Sequence, residues 1–103
     1  PWEPDNQRAL LPLIEEIRRI YPEKSIWMYS GYTYDELKGA GRARCEVTDK
    51  LLSLIDVLVD GEFMIEKKDI SLSYRGSSNQ RLIDVKKTEK TGVITCISDD
   101  LCR

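Results

Sequence analysis

Asp60 is the residue of this chain best placed to do chemistry. It closes an unbroken apolar run, IDVLVD from Ile55 to Asp60, and a carboxylate at the mouth of an apolar strand can accept from two hydroxyls or ligate a cation. The plainer reading is that Asp60-Gly61 is only a turn ending the strand. Fifteen residues on, the chain reads RGSSNQR from Arg75 to Arg81. There Gly76 relaxes the backbone, while Ser77, Ser78 and Asn79 can present amides and hydroxyls to an anion or cap a helix. Arg75 and Arg81 can pair with a carboxylate or a phosphate. A capped turn braced by arginines accounts for the same residues. Strand ends joined to polar loops are where α/β proteins put their ligands.

The rest of the composition narrows the chemistry. The chain contains no histidine, which removes the commonest general base and every Ser-His or Cys-His nucleophile pair. Its three cysteines, Cys45, Cys96 and Cys102, have spacings that match neither a disulfide framework nor a tetrahedral zinc site. Unpaired thiols are the expectation, with a metal or redox pair at Cys96 and Cys102 as the alternative. Sixteen basic and 18 acidic residues are interspersed, for a formal charge of -2. That balance offers no footprint for nucleic acid or an anionic membrane. No apolar run reaches the ~18 residues of a membrane span, and no signal-peptide pattern opens the chain, so a cytoplasmic protein is expected. At 103 residues the length allows one domain with one modest core.

Helical spacing of Leu10, Leu13, Ile14, Ile17, Ile20 and Tyr21 predicts an amphipathic helix, with Pro12 in its first turn or at a kink and Pro22 ending it. Ser25 to Ser30 reads as a buried strand bounded by Gly31, with Trp27 filling the wall behind it. Thr33 and Glu36 have the spacing of a capping box, so the next helix starts at Tyr34, and Tyr32 with Leu37 forms a hydrophobic staple. Gly39 and Gly41 interrupt that helix. Val47, Leu51, Leu52 and Ile55 give a second helical piece leading into the Ile55 to Val59 strand, whose unbroken apolar character suits a parallel strand covered on both faces. MIEKKD after the strand can make a short helical turn, Leu82 to Val85 suits strand or helix, and the tail from residue 87 onward has no assignment beyond a brief strand-like VITCI. The leucines, isoleucines and valines of the helices are expected in the core, and Trp2 is expected exposed at the chain start. Helix, strand, helix, strand is half of a β/α barrel or a slice of a doubly wound sheet.

Several of these words also occur together elsewhere. PWEPDN at Pro1 to Asn6, IWMYSGYT at Ile26 to Thr33, IDVLVDGEF at Ile55 to Phe63 and RGSSNQR at Arg75 to Arg81 resemble, in the same order, the C-terminal half of the activating proteins of anaerobic ribonucleoside-triphosphate reductases. Those are radical S-adenosylmethionine glycyl-radical activases. The resemblance covers residues 1 to 86. It implies the C-terminal half of a partial (β/α)6 radical S-adenosylmethionine barrel, with Pro1 closing a Gly-Gly-(Asp/Glu) motif whose glycines are absent here. Its C-x3-C-x2-C cluster loop would lie upstream of Pro1, so the chain is read as a C-terminal fragment, inactive alone.

By the same resemblance, the cofactors are S-adenosylmethionine and a 4Fe-4S cluster, and no cluster ligand or catalytic residue is in this chain. The intact protein would cleave S-adenosylmethionine reductively and take a hydrogen atom from a glycine of the reductase, with an electron donor such as flavodoxin. Side chains after the fourth and fifth barrel strands would contact the cofactor or a nearby monovalent cation; the motifs put Tyr29, Ser30 and Gly31 at the first position, with Tyr32 a further candidate beside them, and Asp60 and Glu62 at the second, while a strand end and a staple account equally for Ser30 and Tyr32. At Glu62 the chain departs from the wider activase pattern, where lysine often stands. Ser77, Ser78 and Asn79 would support S-adenosylmethionine or help dock the reductase. The rival is a non-catalytic α/β module that binds a nucleotide or a protein through RGSSNQR.

Overall fold

The computed structural model describes residues 2–39, 41–72 and 74–98. Its elements in order are α1 (Pro4–Ile20), β1 (Trp27–Tyr29), α2 (Tyr34–Lys38), α3 (Thr48–Leu54), β2 (Val57–Asp60), a 3-10 turn (Ile65–Lys67), β3 (Arg81–Asp84) and α4 (Val85–Thr91). The result is a mixed α/β fold: one three-stranded sheet in the order β1-β2-β3, with four helices. Pro1 and Cys102 lie outside the described residues.

Helix α1 starts at Pro4, whose missing N–H would have had no helical partner anyway. Asp5 in its first turn and Arg18 and Arg19 in its last suit the helix dipole. Pro12 therefore sits in the helix interior and not in the first turn, on the exposed side. The buried face also differs from the expected one. Gln7 and Ile14 are buried and Leu11 and Ile17 pack against the core, whereas Leu13 is 55% exposed and Ile20 and Tyr21 are about as open. Gln7 turns the helix this way. Its Nε2 donates to the carbonyls of Trp2 (2.7 Å) and Ala43 (2.6 Å), and its Oε1 accepts from the Thr48 hydroxyl (2.6 Å). An apolar count ignores a buried, fully bonded glutamine. Trp2, expected exposed, is completely buried in the core with Leu37, Leu51, Leu52, Ile55, Leu58 and Ile83.

Strand β2 is central and buried along its whole length. It pairs parallel with β1, Trp27 to Val57 through Tyr29 to Val59, and antiparallel with β3, Val57 to Asp84 through Asp60 to Arg81. Strand β1 was expected to be buried; as an edge strand it leaves Trp27 38% exposed and Tyr29 half-exposed. Trp27 meets the Tyr74 ring edge-on at 5.1 Å and does not fill an inner wall. Between β1 and β2 the capping box forms as its spacing requires: the Thr33 Oγ1 accepts from Glu36 N–H, and the Glu36 carboxylate from Thr33 N–H. Gly39 ends α2.

Helix α4 occupies the stretch that has no assignment from sequence. Asp84 caps it, accepting from Lys87 N–H, and Gly92 at φ 77° closes it. The following segment runs back along β3, where Asp84 N–H donates to Thr95 O (2.7 Å) and Ile97 N–H to Leu82 O (3.1 Å). Cys45 is a free thiol as expected, but Cys96 is disulfide-bonded, which corrects the expectation of unpaired thiols there.

One ion pair ties α1 to the sheet. Asp56 Oδ2 accepts from Arg18 (2.6 Å) and from Ile26 N–H (2.8 Å), and Arg18 also donates to Leu54 O. Burial pushes the Asp56 carboxyl up, but Arg18 and the Ile26 amide outweigh it and hold it below its ordinary 3.8. A depressed folded value means that this contribution is complete above the ordinary value and is lost as the pH falls through the folded one. Urea midpoints measured from pH 7 down to pH 2 should therefore fall below about pH 4, and less steeply in Asp56→Asn. An identical slope in the two proteins would remove Asp56 from the account.

Candidate functional site

Because β1 and β2 are parallel, their C-terminal ends open on the same edge of the sheet. The chain leaves β1 through Ser30-Gly31-Tyr32 and β2 through Gly61-Glu62. The two exits are stitched together. Ser30 N–H donates to Val59 O (3.1 Å) and Gly61 N–H to Tyr32 O (2.8 Å). The buried Ser30 hydroxyl closes its own loop, donating to Tyr32 O and accepting from Tyr32 N–H (3.1 Å). Gly61, at φ 92°, uses a conformation that a side chain would strain. Beside Gly31 there is open space.

That space belongs to a cleft of about 250 Å³ lined by Ser30, Gly31, Tyr32 and Glu62, together with Glu3, Glu36 and Arg42. Four of the eight residues singled out from sequence thus meet in one place. The other three come from the start of α1, from α2 and from the loop after it. No local motif marks Glu3 or Arg42, and Glu36 is marked only as the capping-box partner of Thr33. Glu3 accepts from the Tyr32 hydroxyl at 3.1 Å, which lowers the Glu3 carboxyl and raises the Tyr32 phenol, with Arg42 opposing the latter. The Glu36 carboxylate is occupied by its capping bond. Glu62 makes no side-chain hydrogen bond or ion pair among the described residues. Three carboxylates against one guanidinium give the cleft a negative balance.

Asp60 lies behind this cleft and does not line it. It is 1% exposed. Its Oδ2 accepts from Tyr34 N–H at the start of α2 (2.8 Å) and from Arg81 Nη2 (2.6 Å), and its Oδ1 from Arg81 Nε (3.0 Å). Arg81 is thus a carboxylate partner, in a two-point fork. Tyr29, half-exposed, sends its hydroxyl to Tyr74 O, away from the cleft.

The RGSSNQR loop braces the second exit. The Gly76 and Ser77 N–H groups donate to Gln80 Oε1 (2.9 and 3.2 Å), and Ser78 N–H donates to Lys67 O (3.0 Å). The buried Ser77 hydroxyl accepts from Met64 N–H (3.2 Å) and donates to Asn79 Oδ1 (2.7 Å), and Arg75 donates to Gln80 O (2.8 Å). Gly76 is needed for close approach, since a Cβ there would come within 2.9 Å of the Phe63 ring. Ser77, Ser78 and Asn79 stand beside the cleft and not in its lining. Gln80, 6% exposed and the hub of the loop, had no sequence signal beyond its place in the motif.

Among the described residues no helix is long and apolar enough to cross a membrane, and no three His, Cys, Asp or Glu side chains are grouped to hold a metal ion.

A family model described as "4Fe-4S single cluster domain" matches residues 1–83. The chain is also similar to proteins named anaerobic ribonucleoside-triphosphate reductase-activating protein. The one from Haemophilus influenzae is 44% identical over 80 residues, 78% of this chain and 47% of that protein. The one from Escherichia coli (strain K12) is 46% identical over the same shares. That of Enterobacteria phage T4 is 30% identical over 82 residues, 80% of this chain and 46% of the relative. The chain spans about half the length of the relatives it matches. No solved structure matches it. The described residues do not fit the cluster in the family's description, because Cys45 is a lone thiol and Cys96 is committed to a disulfide.

Proposed function

Because the chain belongs to the 4Fe-4S single cluster domain family, we propose that it is the part of a radical S-adenosylmethionine activating protein that binds and orients S-adenosylmethionine. The intact protein would generate the glycyl radical on anaerobic ribonucleoside-triphosphate reductase in the cytoplasm, with an electron donor such as flavodoxin. The observation that carries the reading is the cleft at the ends of two parallel strands, where Ser30, Gly31, Tyr32 and Glu62 meet. Its chemistry suits the ligand. S-adenosylmethionine carries an ammonium, a sulfonium, a carboxylate and vicinal ribose hydroxyls. Glu62 can accept from the hydroxyls or the ammonium, Arg42 can pair with the carboxylate, and the open side at Gly31 leaves room for the backbone to approach.

The parallel β1-β2 pair with its connecting helices is the unit that a partial (β/α)6 barrel repeats, and this chain would supply its C-terminal half. S-adenosylmethionine and a reduced 4Fe-4S cluster supply the one-electron chemistry, and the residues described here bind and orient. The cluster thiolates would come from outside these 103 residues. Asp60 supports the cleft from behind, holding the start of α2 and Arg81. The anion-binding alternative at RGSSNQR draws no support from contacts that spend the loop's amides internally.

The test is Glu62→Gln in the intact, cluster-loaded protein, with S-adenosylhomocysteine binding read by calorimetry. Removing a charge-assisted bond should weaken affinity about 10-fold while iron content stays the same. Wild-type affinity in Glu62→Gln would overturn the assignment of this cleft.

A further inference from the structure

Two successive carbonyls at the exit of β2, those of Gly61 and Glu62, are each held by a side-chain amide reaching across from RGSSNQR. Gln80 Nε2 donates to Gly61 O at 3.1 Å, and Asn79 Nδ2 donates to Glu62 O at 2.7 Å. Both amides are oriented by what their oxygens accept. The Gln80 oxygen takes the Gly76 and Ser77 N–H groups, so its NH2 must face Gly61. The Asn79 oxygen accepts from the Ser77 hydroxyl, and the Glu62 carbonyl opposite can only accept, so the Asn79 NH2 faces Glu62. On the other side, Gly61 N–H is tied to Tyr32 O at 2.8 Å.

Glu62 is exposed and follows a glycine at φ 92°. Its carboxylate has no side-chain partner among the described residues, so the side chain keeps its own torsions and what the structure fixes is the backbone point from which it enters the cleft lining. That backbone is fastened on one side to the Ser30–Tyr32 loop and on the other to two amides. We infer that Asn79 and Gln80 are positioning residues that hold the Glu62 main chain at the edge of the cleft, so that its carboxylate reaches in from a fixed point, and thereby set the affinity for a cationic, hydroxyl-bearing ligand that neither of them touches. With the backbone already held, the ligand has only the Glu62 side-chain torsions left to order, which costs less on binding than ordering the loop as well. The inference rests on the cleft being the S-adenosylmethionine site.

The experiment uses the intact, cluster-loaded protein and S-adenosylhomocysteine as the probe, with thermal unfolding measured alongside. Asn79→Asp keeps the acceptor for Ser77 and removes the donor to Glu62 O; Gln80→Glu does the same at Gly61 O. Each should weaken binding about 5-fold, and neither should weaken it further when Glu62 is already glutamine. A merely structural role would lower the unfolding temperature and leave affinity intact, or would add in full to Glu62→Gln. Either result overturns the inference. Wild-type binding by Glu62→Gln would sink the cleft assignment itself, whereas weak binding by Glu62→Gln with normal binding by both amide variants would sink only the positioning role.

Discussion

Arg81→Met is expected to destabilise the fold by about 3 to 5 kcal/mol, because it strands the Asp60 carboxylate in the interior without its counter-charge. Asp60 is 1% exposed, and Arg81 supplies two of its three hydrogen bonds. The next guanidinium contact, from Arg81 to Asp35, is long at 3.9 Å and its partner is mostly exposed, so Asp35 gains little from the pair. Arg81→Lys should recover only part of the loss, since an ammonium cannot reproduce the fork. The double variant Asp60→Asn with Arg81→Met removes the stranded charge and keeps an acceptor for Tyr34 N–H. It should therefore be more stable than Arg81→Met alone. Urea unfolding of the four proteins measures this directly. If Arg81→Met and the double variant unfold together, near wild type, Asp60 is not an uncompensated charge and its burial has another explanation.

The setting of Asp60 is only partly written in the local sequence. An apolar run ending in Asp-Gly identified β2 and its exit correctly, because a strand buried on both faces must be continuously apolar. Which way the Asp60 carboxylate turns depends on Arg81, twenty-one residues on, and on β3 running antiparallel so that the two stand opposite each other. Direction of pairing has no local code. By contrast, the capping box at Thr33 and Glu36 is settled within four residues, and it formed as read. Helix α1 was found but its face was misjudged, since Gln7 earns its burial through bonds to Trp2, Ala43 and Thr48 that only the fold brings near. Helix α4 was legible in retrospect. Asp84 and Gly92 are ordinary start and stop signals, but the charged run between them offers no apolar stripe. Within the cleft, the residues adjacent in sequence, Ser30 to Tyr32, stand together; Glu36 has a sequence signal only for its capping bond, and Glu3 and Arg42 join them only in three dimensions.

Anaerobic reconstitution with iron and sulfide should leave these 103 residues without a stoichiometric 4Fe-4S centre, although their family is described by one. Such a cluster is held by cysteine thiolates at close spacing. The whole sequence has three cysteines, at 45, 96 and 102. Cys45 sits beside Gln7, to which its thiol donates at 3.6 Å, and Cys96 is in a disulfide and so is no thiolate. Reduction of that disulfide returns thiols without creating a three-cysteine loop, so the result should be the same with and without a strong reductant. Iron and sulfide analysis, with electron paramagnetic resonance after reduction, provides the readout. The matching measurement joins this chain to a segment carrying a C-x3-C-x2-C loop, where one cluster per protein and binding of S-adenosylhomocysteine at the cleft should appear together. A reducible, stoichiometric cluster on the 103 residues alone would mean that this chain supplies its own ligands, and the division of labour proposed for it, orientation here and cluster chemistry elsewhere, would be wrong.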